Sequence, residues 1–210
     1  MTRHAVGLGP VANSKDFVRT VVLAIIVTLA VCFIASYFVP TGETTNDVWV
    51  ALKKSNVFFL IKQSWGEGGS MQCWHIAIMS REETSHTLLT RLGGYNPGTT
   101  IYNKHVTYMT TEPDMDGTRS FITVSFMRYG VKAIRYKMVY NDGEGCIILM
   151  IKDVPLEDNG SMLGECEMWA SKEAAPRLNA WSPCELSYQE LGCNTTRTPY
   201  VKTCKDTETS

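Results

Sequence analysis

The chain lacks the marks of most functional classes. No run of Lys or Arg forms a patch, and 20 basic side chains against 21 acidic ones leave a net charge of −1. Nucleic-acid binding therefore has no electrostatic footprint. There is no G-x-S-x-G, no P-loop and no H-E-x-x-H, so the familiar nucleophile, phosphate and zinc-protease motifs are missing. No C-x-x-C or paired-histidine spacing offers a zinc site. His4, His75, His86 and His105 are scattered and read as ordinary strand or tail residues. Repeats and low-complexity tracts are absent. Neither an enzyme nor a metal or cofactor protein is expected.

One long apolar run is present. Residues 21–39, VVLAIIVTLAVCFIASYFV, carry no charge and would reach roughly 28 Å as a helix, close to the hydrocarbon thickness of a bilayer. Arg3, Lys15 and Arg19 precede it with only Asp16 opposing, which keeps the N-terminus cytosolic. Two readings stay open. The length of the run and of the polar lead favours an uncleaved type II anchor, whereas Ala30-Val31-Cys32 and Ala35-Ser36 offer small-residue cleavage sites for a signal peptide. Both place everything after Pro40 outside the cell. The chain thus divides into a basic tail (1–20), the signal or anchor (21–39), a linker (40–46), one folded domain (47–204) and a polar tail (205–210).

The cysteines fit that topology. Cys32 lies in the apolar run and should be unpaired. Cys73, Cys146, Cys166, Cys184, Cys193 and Cys204 form an even set, and in an oxidising compartment they suggest three disulfides, whose pairing the sequence leaves open. Asn159-Gly-Ser and Asn194-Thr-Thr are N-glycosylation acceptors in the exported part.

Residues 47–55 (DVWVALKKS) read as a short helix capped by Asp47, with Val48, Ala51 and Leu52 on one face. Eight strand-like runs follow, at 56–64, 72–80, 84–91, 101–109, 119–127, 131–140, 145–152 and 163–170. Turn chemistry separates them: EGGS, SREE, GGYNPG, EPDMDG, Tyr129-Gly130, NDGEG and EDNGS. No connection is long enough for a crossover helix, and the long Greek-key connections of a sandwich are missing. Eight antiparallel strands in a meander close into an all-β up-and-down barrel, which removes exposed edges and holds side chains or one small ligand. Residues 184–193 (CELSYQELGC) suit a flanking helix, with TPYVK a last extended piece.

Within the eighth run, GECEMWA puts Glu167 among apolar neighbours. Alternation sends Glu167 and Trp169 to one face and Cys166 and Met168 to the other. If the cysteine pairs toward an external helix, Glu167 and Trp169 face inward. A carboxylate beside an indole in a dry cavity suits an amine, through a charge-assisted hydrogen bond and the cation-attracting ring face. The plainer alternative is a solvated rim residue, or one paired with Arg135 or Lys137. The strand aromatics (Phe58, Phe59, Trp65, Trp74, Tyr102, Tyr108, Phe121, Phe126, Tyr136 and Tyr140) read mostly as barrel core.

Three groups of residues carry a likeness to a known family. They are Asp47-Val48-Trp49 and Ala51-Leu52 followed by Val57-Phe58-Phe59-Leu60; Cys73 early in the second strand; and Cys146, Glu167-Met168-Trp169 and Cys184. The chain resembles the tick salivary lipocalins, and within them the histamine-binding protein family, over residues 47–204. The last group is similar to that family's amine motif, a Cys-Asp-aliphatic start, a Glu-Leu-Trp/Tyr centre and a closing Cys.

The resemblance implies an eight-stranded lipocalin barrel with a C-terminal helix. It implies a salivary protein that captures a host mediator to evade host defence, with disulfides Cys146–Cys184, Cys73–Cys204 and, by elimination, Cys166–Cys193. It also implies that Glu167 and Trp169, with Trp65 as a looser candidate, bind the ligand. The departures are Ile147 where the family has its aspartate, and Met168 in place of Leu. Losing one charged partner is worth about 1.5–3 kcal/mol, roughly ten- to hundredfold in affinity. Three functions follow as expectations for a monomeric protein: capture of histamine or serotonin; capture of an apolar mediator such as a leukotriene, fatty acid or sterol; or protein binding through loops around a filled barrel.

Overall fold

The computed structural model describes residues 46–66, 71–95, 102–126, 133–155 and 161–204. The N-terminal tail, the apolar run 21–39 with Cys32, the linker up to residue 45, Asn159 and the tail 205–210 lie outside the described residues. Among the described residues no helix is long and apolar enough to cross a membrane.

The order of elements is helix α1 (Val48–Leu52) and strands β1 (Val57–Gln63), β2 (Gln72–Glu82), β3 (Thr87–Tyr95) and β4 (Tyr102–Glu112). Strands β5 (Phe121–Phe126), β6 (Ala133–Asn141), β7 (Cys146–Asp153) and β8 (Cys166–Ser171) follow, then a 3-10 turn (Ala175–Arg177) and helix α2 (Pro183–Glu190). Each strand pairs antiparallel with the next, and β1 pairs with β8, so the sheet closes in the order β1 to β8. This is the barrel the strand count and short connections predict.

Helix α1 is shorter than the nine residues read from sequence. Asp47 caps it, its Oδ1 accepting from the Val50 amide at 3.1 Å. Arg81 Nη2 donates to the carbonyls of Leu52 and Ser55 at 3.1 and 2.9 Å, which satisfies the carbonyls that a helix end leaves open. Val48, Trp49, Ala51 and Leu52 are buried and join the barrel core.

Two further boundaries differ from expectation. The GGYNPG stretch is not all turn: Gly93, Gly94 and Tyr95 extend β3. A Cβ on Gly94 would lie 2.8 Å from the Met71 side chain and 3.3 Å from Trp74, so this glycine serves a close approach of side chains to backbone. Similarly, Ser80–Glu82 continue β2, and the chain reverses at 83–86, where His86 adopts φ 51°. Helix α2 ends at Glu190, so Leu191–Cys193 lie beyond it.

Alternation divides the apolar side chains between two cores. Phe58, Leu60, Ile76, Leu88, Met109, Ile122, Met138, Ile147 and Trp169 belong to the inner one. Phe59, Ile148, Met168 and Ala170 belong to an outer one with Cys184 and Tyr188 of α2. Burying each large apolar side chain contributes about 1.5–3 kcal/mol, which is what fixes α2 against the barrel wall. Three disulfides reinforce the outer layer: Cys73–Cys204, Cys146–Cys184 and Cys166–Cys193, with Cα separations of 5.1, 6.3 and 5.8 Å. The pairing is the one the resemblance implies.

Candidate functional site

Cys166 pairs outward with Cys193, just past α2. The next residue on β8, Glu167, therefore turns inward, and so does Trp169. The alternative partners proposed for Glu167 are engaged elsewhere: Arg135 pairs with Glu112 at 3.0 Å and Lys137 with Asp114 at 2.7 Å. Nor is Glu167 a rim residue, being only 4% exposed.

Its carboxylate is held by three neutral donors. Trp169 Nε1 donates to Oε2 at 2.8 Å. Trp65 Nε1 and the Tyr136 hydroxyl donate to Oε1 at 3.1 and 3.3 Å. These donors come from three places: β8 itself, the chain just after β1, and β6. Gln63 stands opposite Glu167 on β1 and Leu149 stands opposite it on β7. An ionised carboxylate has about four acceptor positions, and these donors fill three of them.

Burial pushes the Glu167 carboxyl above its ordinary value, and the hydrogen bonds from Trp169, Trp65 and Tyr136 pull the other way. Burial also raises the Tyr136 phenol well above 10, and the neighbouring Glu167 adds to this. Tyr136 is therefore a donor throughout the physiological range.

These groups open onto a cavity of about 480 Å³ inside the barrel, within the usual size of small-molecule sites. Phe58, Trp65, Trp74, Phe126, Tyr136 and Trp169 supply aromatic lining, and Leu60, Ile76, Leu92, Ile122 and Leu149 supply aliphatic lining. Glu167 is the sole carboxylate among the described lining residues, and Arg197 the sole guanidinium. Ile147 faces the same cavity beside Trp169, 2% exposed. The position where the resemblance calls for an aspartate is thus apolar wall.

All three residues singled out from sequence, Glu167, Trp169 and Trp65, meet at one point. Others were missed. Tyr136 was read as core, although alternation along β6 places it on the inner face. His105 was read as an ordinary strand residue and lines the cavity. Arg197 lies in a polar C-terminal stretch with no periodic signal. Of the other histidines, His75 is buried outside the cavity with Nδ1 2.9 Å from the Cys73 carbonyl, and His86 packs edge-on against Trp49. Asn194 is exposed, as a glycosylation acceptor must be.

An eight-stranded closed barrel with a side-chain-lined cavity is the architecture of small-ligand carriers such as the lipocalins. Comparison with known proteins narrows the class. The tick histamine binding protein profile matches residues 40–206, so the chain belongs to that family. It is a ligand-binding lipocalin and not an enzyme. No curated protein matches the sequence closely enough to stand as a relative.

Among solved structures, one similar fold is the AM182 serotonin complex. The two are 12% identical with TM-score 0.51, over 75% of this chain and 91% of that one. Another is japanin from Rhipicephalus appendiculatus bound to cholesterol, 12% identical with TM-score 0.53, over 71% of this chain and 95% of that one. At such identity they speak for the fold alone. The three disulfides fit an extracellular setting.

Proposed function

We propose that this protein captures a small cationic mediator of the host, histamine or serotonin, outside the cell, and so blunts host defence. The observation that carries this reading is the environment of Glu167. It is a buried carboxylate with three neutral donors, and no cation among the described residues pairs with it. A buried charge without a counter-ion is costly. A ligand ammonium at the remaining acceptor position would supply that counter-ion, with Trp65 and Trp169 as flanking aromatic surface. Membership of the histamine-binding family supports the amine, as does a similar fold known as a serotonin complex. Export through residues 21–39, as a cleaved signal or a retained anchor, would deliver the barrel to its ligand.

A second reading is capture of an apolar mediator. Ile147 and the predominantly apolar lining favour it, and a similar fold is known with cholesterol bound. A cavity of ligand size argues against a filled barrel that binds only proteins through its loops.

The test is native mass spectrometry of the protein from an oxidising host, mixed with histamine, serotonin, leukotrienes and fatty acids. A single amine adduct lost in Glu167→Gln is the expected result. A lipid adduct without any amine adduct would overturn the amine reading in favour of the second.

A further inference from the structure

Strand β1 pairs with β2 only over Val57–Phe59, opposite Ala77–His75. Beyond that point its edge is taken by the C-terminal segment. The Gln63 amide donates to the Arg197 carbonyl at 3.1 Å, and the Arg197 amide returns to the Gln63 carbonyl at 3.2 Å. The Cys73 amide donates to the Pro199 carbonyl at 2.9 Å. Residues 197–199 therefore complete the wall between β1 and β2, between the anchors Cys166–Cys193 and Cys73–Cys204. One consequence is that Arg197, which belongs to no strand, lines the cavity.

Arg197 Nη2 donates to the Met71 carbonyl at 2.9 Å. A guanidinium has five N–H donors and stays charged at all relevant pH, and no carboxylate pairs with Arg197 among the described residues. Glu167 is on the same cavity, yet no ion pair joins the two. Arg197 lies beside the end of β1, and strand direction puts Leu92 near the end of β3, Phe126 at the end of β5 and Ile134 at the start of β6 at that same end of the barrel. Those three, with Trp65 and Trp74, are the partly exposed apolar members of the lining. A fixed positive charge beside accessible apolar surface matches an amphiphile with an acidic head.

We propose that Arg197 forms an anion subsite that seats the carboxylate of a long-chain fatty acid, with the chain among the apolar lining residues. The subsite rests on the apolar-ligand reading, and Arg197 and Glu167 flank Gln63 from its two sides at one end of the cavity. Arg197 fixes the carboxylate through paired N–H donors, and the tail contributes affinity without regard to head-group charge.

Fluorescence titration with cis-parinaric acid and with its methyl ester separates the two contributions. The acid should bind roughly ten- to hundredfold more tightly than the ester, as a charge-assisted hydrogen bond allows. Arg197→Gln should erase that preference while ester binding persists, which also reports an intact cavity. Arg197→Lys keeps the charge without the fork and should retain part of the preference, so it decides the matter if the Gln variant does not fold. Equal binding of acid and ester by the unaltered protein, or a preference that survives Arg197→Gln, would overturn the subsite and leave the apolar-ligand reading standing. Binding of neither probe would overturn both.

Discussion

Acidifying a serotonin titration from about pH 8 to about pH 4 probes Glu167, because the ligand's alkylammonium keeps its proton until about pH 10 while the carboxyl changes state. Burial holds that carboxyl above its ordinary 4.5, against the pull of Trp169, Trp65 and Tyr136. Above the raised value the site is ionised and affinity is flat. Below it, binding must expel a proton, and each pH unit costs about tenfold, or about 1.4 kcal/mol. The midpoint of the loss must therefore lie above 4.5. Stability should move in the opposite sense. A carboxyl raised in the folded state contributes stability that is complete below its unfolded value and lost as pH rises through the folded one. Mild acidification should thus steady the ligand-free barrel while weakening its grip on an amine. The carboxylates of half-buried Asp114 and exposed Glu83 are shifted downward, so their losses fall at lower pH. Calorimetry in buffers of different ionisation enthalpy reads both affinity and proton release, and thermal melts read the stability. An affinity that stays flat down to pH 4.5, or an acid limb that persists in Glu167→Gln, would refute the reasoning.

Trp169→Phe keeps a ring in place but removes the 2.8 Å donor. The ionised carboxylate loses about 1.5–3 kcal/mol of support, so the acid midpoint should climb by about one to two pH units in the same calorimetric titration. Ile147→Asp returns a carboxylate to the wall beside Trp169. It should add a second amine equivalent by calorimetry and cost at least about 2 kcal/mol in a denaturant melt, since a buried aliphatic side chain is lost. Replacing Cys73 and Cys204 together by Ser opens a loop with a sequence separation of 131. Chain entropy alone puts the cost near about 5 kcal/mol, measurable by the same melt, and parinaric acid affinity should fall because residues 197–199 lose an anchor.

Strand number, order and closure were legible because each run alternates and each connection is too short for anything but an antiparallel neighbour. Boundaries were less so. Gly93 and Gly94 look like turn residues in sequence, yet Gly94 is needed for contact with Met71 and Trp74, a demand that only the neighbouring strand imposes. The site was partly legible. Glu167 stood out as a carboxylate in an apolar strand, and Trp65 and Trp169 as its company by resemblance. Tyr136 could be found only after β6 was placed near β8 with β7 between them. Arg197 could not be found at all from local pattern, because its place depends on a gap between β1 and β2 and on two disulfides that carry the chain back across it.

The inward turn of Glu167 and the outward disulfide of Cys166 are one constraint. Adjacent strand residues face opposite sides, and a slip of one residue would exchange them. Cys166 and Met168 would then enter the cavity, away from Cys193, and Glu167 would move with Trp169 into the outer layer beside Tyr188, where Trp65 and Tyr136 could not reach it. That register would forfeit a cross-link and leave a buried charge without two of its three donors, a loss of several kcal/mol on each count. Cys146 constrains β7 in the same way: its bond to Cys184 faces α2, so residue 147 must face the cavity whatever its chemistry. The disulfides therefore fix which positions can meet a ligand. The choice of Glu at 167 and Ile at 147 then decides that the barrel has one acidic pole and not two.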